Sequence, residues 1–573
     1  MVQFDFPEGE RTILLRAHYD QKDRCAAVPG GRWVPKERAW EYLFTPTTAS
    51  GLLQSFSNQM NDKDRQKLQS IATRLSIAQS VKNGQYVLAS PISNTAPWHH
   101  QVVCYNMARE LLGLDEKDTC GGGVMLALDM GCGKSRCAVD LICNYPDKFK
   151  KVLIVCPVSV IDVWAGNNII SGQFDQHATE DQRNKLVIHP VKGVSVEKKT
   201  KAAEMARFQA LNARKQFICV INYESAWREP FAKWAHDVGF DLIVLDESHR
   251  IKTPSGKASK FFASLAKTTK YRLALTGTPC PHAPLDIYGQ YRFLDPGVFG
   301  TSFTKFRSNF AVMGGFQGHQ VLSYRNTEML HNKMFLLAHR VMSKDVFDLP
   351  PFQSEIRTCT LSKDERDLYN QMNENFCVEI KNNLVTASNA LVKLLRLQEI
   401  TSGYLDKQHI GDSKRKLLAD VLEDFDVKEP IIIFARFTND LKVVKEIAES
   451  QGRTYGELSG NCNDLSQWQN GDKDVLGVQI KSGREGVDFT RARYSIYYSL
   501  GFSLGDYEQS IKRLDRPGQS RSGMYIHLLA EDTIDFKVMD ALKKKQEIVE
   551  SVLKQYYDEI PDFDIPEDIA ASI

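Results

Sequence analysis

The sequence predicts an α/β protein with two parallel-sheet lobes in tandem, helical insertions, and a small α+β domain at the N-terminus. Two series of short apolar runs carry this prediction, and each run ends in small, polar or acidic residues. The first series is Lys151–Pro157, Phe217–Glu224, Asp241–Glu247 and Tyr271–Thr278, and the second is Pro430–Arg436, Asp474–Ser482, Tyr494–Leu500 and Met524–Ala530. Near-continuous Val, Ile and Leu content is typical of strands buried on both faces, as in a parallel sheet covered by helices. Two such series favour two lobes, with ligands expected where the strands end.

Changes in periodicity predict where the domains begin and end. Asp64–Val81 has the spacing of an amphipathic helix and follows the first sixty or so residues, while Leu361–Leu384 and Ser388–Leu405 have helical spacing between the two series. The expected organisation is a small N-terminal domain (1–85), a first lobe (86–300), a helical insertion or linker (301–405), a second lobe (406–553) and an acidic tail (554–573).

Composition narrows the class of protein. The chain has 573 residues, of which 42% are hydrophobic and 25% charged, so a wholly disordered chain is excluded. The net charge of +2 excludes a polycation, but a basic groove offset by acidic surface elsewhere is compatible with it. No apolar run approaches the roughly 18 residues that span a bilayer, and the N-terminus has no apolar signal core. Twelve Cys without a C-x-x-C pair favour reduced thiols in a cytoplasmic or nuclear protein with no membrane partner.

A glycine-rich segment predicts a phosphate-binding loop. Ala127–Ser135 reads ALDMGCGKS and precedes an apolar helical stretch. Glycines allow backbone N–H groups to face one phosphate, the Lys can reach the outer phosphates, and the Ser can ligate magnesium. Because Leu128 stands where the full pattern has Gly, the match is to the shortened G-x-G-K-S form. The candidate nucleotide-binding residues of this loop are Met130, Gly131, Cys132, Gly133, Lys134 and Ser135.

An acidic pair follows the strand DLIVLDE. Asp246 leaves the predicted strand beside the phosphate loop and could hold magnesium, and Glu247 could deprotonate the attacking water. The structural alternative is a helix N-cap, but two carboxylates at a buried strand end are costly without a cation.

Two further segments are ambiguous on their own. Thr276, Gly277 and Thr278 lie in the turn LTGTP, where hydroxyls could bond both the acidic motif and a nucleic-acid backbone. Arg513 and Arg516 are three residues apart in QSIKRLDRPGQ, so on a helix they would share a face and could reach a γ-phosphate as arginine fingers. Alone, the first segment is only a turn signal and the second a solvated basic helix.

Taken together and in this order, these segments resemble the SWI/SNF-type DNA translocases of helicase superfamily two. ALDMGCGKS resembles motif I of that family, VCPVSVIDVW motif Ia, LDESH the DEAH-type motif II, KSGREGVDFTRA motif V and QSIKRLDRPGQ motif VI. The stretches His249–Pro279 and Tyr291–Gly300 are similar to the family pattern, and Glu531–Leu553 resembles the brace helix that closes lobe two. The resemblance covers roughly Pro97 to Leu553 and implies two RecA-like lobes.

The N-terminal residues resemble the small HARP-type domain of annealing helicases. Tyr19, Pro29, Arg32, Trp33, Lys36 and Trp40 carry that likeness, and LLRLQEITSGYL suits the same branch. The alternative is a small β-rich domain whose two Trp belong to its core. The chain departs from the wider family at His99, Asp515 and Cys280–His282, where Pro, His and Asn are usual.

The resemblance implies the following residue roles. ATP would be bound by Gln101 and residues 130–135, magnesium by Ser135 and Asp246, and catalysis would use Lys134, Asp246, Glu247, Arg513 and Arg516. Coupling of nucleotide state to DNA grip would use His249, Thr276, Gly277, Thr278, Asp488 and Gln509. DNA would be contacted, mainly at phosphates, by Ser159, Arg436, Ser482 and Gly483, and by Trp33 and Trp40 in the N-terminal domain.

The implied function is ATP-dependent remodelling of branched duplex or forked DNA in replication, repair or recombination. Single-strand-binding or recombination proteins are expected partners, within the host cell if the chain is viral. Two alternatives remain open: a translocase subunit of a restriction or defence complex, and a DNA-binding scaffold without turnover. Because residues 551–573 carry one Lys and six acids, residues 1–550 carry +7, and the basic residues are expected to concentrate on one face.

Overall fold

The computed structural model describes residues 2–7, 11–116, 120–167, 170–193, 195–314, 320–348, 350–381, 387–406, 408–480, 487–516 and 518–554. The chain forms two units. One consists of residues 1–342 with 548–573, and the other of residues 343–547. Each unit contains one large parallel sheet, as the sequence predicts.

The N-terminal part of the first unit is a small α+β module. Its four-stranded antiparallel sheet has the order β1-β2-β4-β3 and is formed by β1 (Gln3–Asp5), β2 (Thr12–Arg16), β3 (Arg32–Val34) and β4 (Ala39–Leu43). Its helices are α1 (Lys22–Ala27), α2 (Pro46–Phe56) and α3 (Asp62–Lys82). The α2 helix begins where the Thr45 hydroxyl accepts the Thr48 N–H and Pro46 occupies the first turn, a favoured start. Ile13, Leu15, Tyr42 and Phe56 lie in one core with the first half of α3.

The sheet of the first unit has seven parallel strands in the order β13-β5-β10-β9-β6-β8-β7. They are β5 (Gly122–Leu128), β6 (Lys151–Cys156), β7 (Leu186–Pro190), β8 (Gln216–Asn222), β9 (Leu242–Asp246), β10 (Tyr271–Leu275) and β13 (Ala338–Val341). All four predicted strands of the first series are confirmed. Three strands lie outside that series, including β5, whose two leading glycines weaken the strand pattern.

Helices cover this sheet and extend beyond it. They are α4 (His99–Leu112), α5 (Lys134–Asn144), α6 (Ile161–Ala165), α7 (Gln173–His177), α8 (Glu180–Asn184), α9 (Val196–Asn212), α10 (Tyr223–Ala226), α11 (Phe231–Val238), α12 (Lys257–Thr268), α13 (Ile287–Leu294), α14 (Pro296–Phe299), α15 (Phe303–Phe310) and α16 (Thr327–Phe335). A two-stranded antiparallel hairpin, β11 (Ala311–Gly314) and β12 (Gln320–Tyr324), stands between α15 and α16.

The expectation of a helical segment over residues 301–405 needs correction. Two strands in this segment belong to the large sheets: β13 lies at the edge of the first, and β14 (Phe352–Cys359) lies at the edge of the second. Both are edge strands with mixed burial, so neither has the continuous apolar run by which a central parallel strand is identified. The two units meet in sequence between Met342 and Ser343, inside this segment.

The sheet of the second unit has six parallel strands in the order β14-β21-β20-β17-β19-β18. Besides β14 they are β17 (Ile431–Ala435), β18 (Tyr455–Leu458), β19 (Val475–Gln479), β20 (Tyr494–Tyr497) and β21 (Gly523–Ala530), and a small pair is formed by β15 (Tyr404–Leu405) and β16 (Gln408–His409). Its helices are α17 (Ser343–Val346), α18 (Lys363–Lys381), α19 (Ala387–Thr401), α20 (Ser413–Glu423), α21 (Thr438–Ser450), α22 (Leu465–Asn470), α23 (Leu504–Ile511) and α24 (Ile534–Lys554). The four predicted strands of the second series are confirmed.

Among the residues described, no helix combines the length and apolarity needed to cross a membrane. The acidic tail predicted for residues 554–573 lies, apart from Lys554, outside the described residues.

Candidate nucleotide-binding site

The phosphate loop joins the carboxyl end of β5 to the start of α5. Gly131 and Gly133 both have φ near +81°, in the left-handed region where a side chain is strained. A Cβ atom at Gly133 would lie 2.1 Å from Gln101 Nε2, so the loop also requires glycine for space. The residues predicted to form a phosphate cradle therefore adopt a conformation that only glycines at these positions permit.

Lys134 is the first residue of α5 and its side chain is buried within the loop. Its Nζ atom donates hydrogen bonds to the backbone oxygens of Leu128 at 2.9 Å and Asp129 at 3.2 Å. The ammonium group is thus held between the end of β5 and the helix N-terminus, where backbone N–H groups and the helix dipole favour an anion. Ser135 follows and is half-buried.

Gln101 contacts this loop from the first turn of α4. Its Nε2 donates to Cys132 O at 3.2 Å, while its Oε1 accepts the Trp98 N–H at 3.0 Å. The neighbouring His100 also donates through Nε2 to Cys132 O, at 2.9 Å. The structure brings Gln101 to the phosphate loop, as expected, and its contact with a nucleotide base stays a prediction.

Asp246 is the last residue of β9 and its carboxylate is held by donors on both oxygens. Trp164 Nε1 donates to Oδ2 at 2.9 Å, and the Glu247 N–H donates to Oδ1 at 3.1 Å. Burial raises the pKa of Asp246 above its ordinary value, and the charge of Glu247 raises it further, while the Trp164 hydrogen bond acts in the opposite direction. Tyr223 supports the strand end by donating to Asp246 O at 2.8 Å.

Glu247 connects the acidic motif to the turn after β10. Its backbone has φ of +53°, which is uncommon for a residue with a side chain and typical of functional turns. His249 Nδ1 lies 3.4 Å from Glu247 Oε2 and 3.2 Å from Thr276 Oγ1. The imidazole of His249, a predicted coupling residue, therefore lies between the predicted catalytic Glu247 and Thr276, another predicted coupling residue.

The turn LTGTP packs against the phosphate loop. Thr276 Oγ1 accepts the Thr278 N–H at 3.1 Å, which shapes the turn. A Cβ atom on Gly277 would lie 3.2 Å from Leu128 O and 3.6 Å from Lys134 Nζ, so Gly277 is close to the catalytic Lys candidate. Gly277 is thus the residue of this turn that lies against the phosphate loop.

A second link between the acidic motif and this turn involves Gln290, which the motifs do not identify. Ser248 Oγ donates to Gln290 Oε1 at 2.8 Å, and Gln290 Nε2 donates to Pro279 O at 2.6 Å. All three groups are buried or nearly so. Gln290 lies on α13, directly before the segment YRFLDPGVFG, and its partners can be known only from the folded structure.

Trp164 and Tyr223 are the other two site residues that sequence reasoning misses. Trp164 ends the segment VCPVSVIDVW and lies 82 residues before its partner Asp246. In the sequence, Trp164 is a single Trp in an amphipathic segment, and such a Trp is equally typical of a core residue. Only packing of α6 against the strand end assigns it to the carboxylate.

The oxygen donors present fit a magnesium ion together with nucleotide phosphates. Asp246 and Glu247 are only 6% and 8% exposed, so a bound cation would offset two buried carboxylates. Across the part of the chain that the structure describes, no group of three or more His, Cys, Asp or Glu could hold a metal by itself. This suits magnesium, which usually takes one or two protein ligands and completes its shell with phosphates and water.

The two arginines of the second unit do not lie on a helix, which corrects the expectation of a shared helical face. The α23 helix ends at Ile511, and Arg513 and Arg516 occupy the turns that follow. They nevertheless converge, because their Nη1 atoms lie 3.2 Å and 3.4 Å from the same acceptor, Val487 O. Successive i→i+3 hydrogen bonds after the helix, Arg513 N to Ser510 O and Leu514 N to Ile511 O, produce this geometry.

The remaining residues predicted for the second unit have different surroundings. Gln509 is buried on α23, while Asp488 is engaged locally, accepting the Thr490 N–H at 2.9 Å. Arg436 follows β17, donates its N–H to Ser499 Oγ at 2.8 Å, and contacts Gln398 Oε1 through its guanidinium. Ser482 and Gly483 lie outside the described residues.

Of the predicted DNA-contacting residues of the first unit, Ser159 and Trp33 are exposed, while Trp40 is half-buried and packs against the core of the N-terminal module. Ser159 is exposed just after β6. Trp33 and Trp40 face each other across the β3–β4 pair, with ring centroids 6.0 Å apart, and Trp33 is 46% exposed. The alternative that both Trp belong to the core is therefore wrong for Trp33.

Comparisons with known proteins give a consistent family. A model of the SNF2-related domain matches residues 60–403, and a model of the helicase conserved C-terminal domain matches residues 413–518. Relatives include the putative protein p41 of Acyrthosiphon pisum secondary endosymbiont phage 1, 25% identical over 61% of this chain and 79% of its own. An uncharacterized ATP-dependent helicase of Mycoplasma genitalium is 25% identical over 76% of this chain, and the DNA repair and recombination protein RDH54 of Saccharomyces cerevisiae is 22% identical over 76%.

The chain spans 41% of the Mycoplasma relative and 52% of the yeast relative. Among solved structures, the SWI2/SNF2 ATPase core of Sulfolobus solfataricus in complex with dsDNA is 22% identical, with a TM-score of 0.37 over 82% of this chain and 96% of that one. Because the SNF2-related domain accounts for more than half of the chain and a helicase C-terminal domain follows it, the chain belongs to the SNF2-related family of helicase-type ATPases.

Proposed function

We propose that the chain is an ATP-dependent DNA translocase that remodels branched DNA by fork reversal, branch migration or strand annealing. The observation that supports this best is the buried Asp246–Glu247 pair, which ends a parallel strand beside the phosphate loop and is bridged by His249 to Thr276. This arrangement connects the proposed nucleotide site to the turn LTGTP, whose conformation could change when nucleotide binds or is hydrolysed.

The roles proposed for the chain's own groups are those that the family resemblance implies. Backbone N–H groups of residues 130–135 and the Lys134 ammonium would bind the phosphates, and Ser135 with Asp246 would hold magnesium. Glu247 would accept the proton of the attacking water, a role suited to a carboxylate next to the phosphate site. Arg513 and Arg516 would supply positive charge to the transferring phosphoryl group. Bound magnesium would neutralise phosphate charge.

Preference for branched DNA is proposed from the N-terminal module. The exposed ring of Trp33, which lies beside the half-buried Trp40, can stack on bases that are not held in a duplex. The yeast relative is named as a DNA repair and recombination protein, which agrees with work on branched DNA. Recombination or single-strand-binding proteins are the proposed partners, in the cytoplasm or nucleus of the cell.

The test is the rate of ATP hydrolysis with single-stranded, duplex, forked and four-way DNA at one stated salt concentration. We expect stimulation by DNA, with the largest effect from branched substrates. Absence of hydrolysis with every substrate would leave a scaffold without turnover as the better description.

The role of the aromatic pair has its own test. Trp33→Ala should weaken binding of forked DNA by roughly five- to 150-fold, the range that corresponds to 1–3 kcal/mol of lost base stacking. Trp227→Ala, which removes a half-buried Trp elsewhere in the same unit, is the control. Equal affinities of the Trp33 variant and the parent for forked DNA would remove the N-terminal module from substrate recognition.

A further inference from the structure

The β11–β12 hairpin exposes apolar side chains on both of its strands. Val312 and Val321 are 39% and 38% exposed, and Leu322 is 63% exposed. Leu322 lies over Gly314, where a Cβ atom would come within 2.4 Å of it, so the ribbon is thin at this point. Two-stranded hairpins are marginally stable in water by themselves, which makes an apolar, solvent-facing ribbon unusual unless it has a use.

The base of the hairpin is anchored firmly. Phe310 and Ala311 are buried, and Arg325 donates its N–H to Phe310 O at 3.0 Å. The Arg325 guanidinium also bonds Ser308 O, and Asn326 Nδ2 donates to Asn309 O at 2.8 Å. Hydrogen bonds and burial therefore tie the ends of both strands to residues 308–310, at the end of α15.

The base of the hairpin lies near the turn LTGTP and the helix α13, which contact the acidic motif. Tyr324 ends β12, and its pKa is raised by burial and by the nearby charges of Asp286 and Cys280. Cys280 directly follows the turn LTGTP, and Gln290 of α13 bonds both that turn and the acidic motif. On the same helix, Tyr288 packs against Phe306 of α15, and their ring centroids are 5.0 Å apart. Phe306 precedes the first strand of the hairpin by about one helical turn. Hydrogen bonds of Gln290 and the packing of Tyr288 on Phe306 thus connect the acidic motif, through α13 and α15, to the hairpin.

Charge around the hairpin identifies the kind of partner. Residues 296–327 contain no Asp or Glu, whereas Lys305, Arg307 and Arg325 lie in this stretch. Lys305 and Arg325 are exposed beside the ribbon. The exposed cations favour a polyanion as partner, and the exposed apolar side chains favour a partner that also offers apolar surface. Nucleic acid with unstacked bases has both properties, because proteins insert Leu, Ile, Phe and similar residues between base steps.

We propose that this hairpin is a strand-separating pin, which contacts unstacked bases at a DNA branch point while the flanking cations hold the phosphates. The proposal rests on the proposed function, since a translocating lobe would drive the branch point onto the pin. It adds an activity that motor motifs alone do not provide: separation of strands at the junction during each step.

The experiment compares the full chain with a Val312→Thr/Val321→Thr/Leu322→Thr variant, which keeps strand-forming side chains but removes the apolar surface. The first readout is 2-aminopurine fluorescence at the branch point of a four-way junction, without nucleotide. The second is the number of junctions migrated per ATP hydrolysed. Leu211→Thr on α9 is the matched control, because Leu211 is also 63% exposed in the same unit.

We expect the parent and the Leu211 variant to raise the fluorescence, and the triple variant to lose this rise. The triple variant should also migrate roughly tenfold fewer junctions per ATP, because the apolar contacts that offset part of the cost of unstacking a base step are removed. Leu322→Phe, which retains an apolar side chain, should keep both signals; Leu322→Glu serves as a single-site variant if the triple variant does not fold.

An unchanged fluorescence rise and an unchanged migration ratio in the triple variant would overturn the pin. The proposal would also be overturned if the parent protein were a dimer and the triple variant a monomer. The hairpin would then be an interface between two copies of this chain. If the parent hydrolyses no ATP with any DNA, the proposed function fails, yet the nucleotide-free fluorescence still decides whether the hairpin contacts the branch point.

Discussion

At the residue scale, the Trp164 indole determines how the Asp246 carboxylate is presented. Its N–H occupies Oδ2, while the backbone N–H of Glu247 occupies Oδ1, so the carboxylate cannot rotate freely. Hydrogen bonds of this kind orient metal ligands and tune their affinity from the outside. Trp164 is therefore a positioning residue for the proposed magnesium ligand.

Trp164→Phe should weaken the apparent affinity for magnesium by roughly 10- to 100-fold, the usual effect of losing an outer hydrogen bond to a ligand. The measurement is ATP hydrolysis as a function of magnesium concentration. Trp468→Phe is the control, because Trp468 is also fully buried and donates its indole N–H, at 3.3 Å, to Asp474 O in the other unit. Similar magnesium curves for both variants would show that the Trp164 indole acts only through packing.

Lys134→Ala should abolish ATP hydrolysis and leave DNA binding largely intact. The ammonium lies within the phosphate loop, bonded to Leu128 O and Asp129 O, and no other Lys in that loop could replace it. Hydrolysis and DNA affinity are measured on the same preparation, with Lys150→Ala, an exposed Lys before β6, as the control. If the variant instead fails to fold, the loop depends on the ammonium structurally.

At the scale of elements, α21 is tied to the second sheet by a buried carboxylate. Asp440, in the first turn of α21, accepts a hydrogen bond from Ser499 Oγ at 2.5 Å, and Ser499 also receives the Arg436 N–H. Burial raises the pKa of Asp440 to about 6, and the Ser499 hydrogen bond only partly counteracts it. The Asp440 carboxylate is therefore costly to ionise, and it shares the Ser499 hydroxyl with the backbone of Arg436, a predicted DNA-contacting residue.

This carboxylate predicts a pH dependence of stability. Because the folded-state pKa is raised from 3.8 to about 6, stability from this group is fully present below pH 3.8 and is lost as pH rises through 6. Asp440→Asn should therefore stabilise the chain by up to about 3 kcal/mol at pH 7.5, and the gain should vanish toward pH 4. Urea unfolding across this pH range measures it.

Asp420→Asn, on the exposed face of α20, provides the comparison and should show no such pH-dependent gain. A difference between the Asp440 variant and the parent that is the same at pH 4 and pH 7.5 would mean that Asp440 does not titrate in this window.

At the scale of the whole molecule, the N-terminal module is packed onto the first lobe through buried polar contacts. Thr47 Oγ1 donates to Asp295 Oδ2 at 2.6 Å between residues 248 positions apart. Lys82 Nζ bonds Phe335 O at 2.6 Å, and the buried Arg74 pairs with Glu116. The aromatic pair of Trp33 and Trp40 is thus carried by the same unit as the phosphate loop.

Thr47→Val should destabilise the first unit by about 1–3 kcal/mol, because it removes a donor from the buried Asp295 carboxylate and leaves only part of its hydrogen bonding. Thermal unfolding of the full chain measures the effect. Thr73→Val on the exposed side of α3 is the control. A matching stability of the parent and the Thr47 variant would mean that the module does not depend on this contact.

The sequence by itself determined the two lobes, the phosphate loop and the acidic motif. Each depends on residues that are close in the chain: apolar runs for strands, Gly131 and Gly133 for a loop of positive φ, and Asp246 at a strand end. Local patterns of this kind reflect backbone preferences and burial of one segment, so neighbouring residues suffice to predict them.

Only the tertiary structure decided which side chains act on one another. Trp164 reaches Asp246 across 82 residues, Gln290 joins Ser248 to Pro279, and Arg513 and Arg516 meet at Val487 O without a helix between them. The edge strands β13 and β14 and the exposed β11–β12 ribbon likewise carry no strong local signal. These features depend on how separate elements pack, and that packing is set by contacts between residues that no local pattern relates.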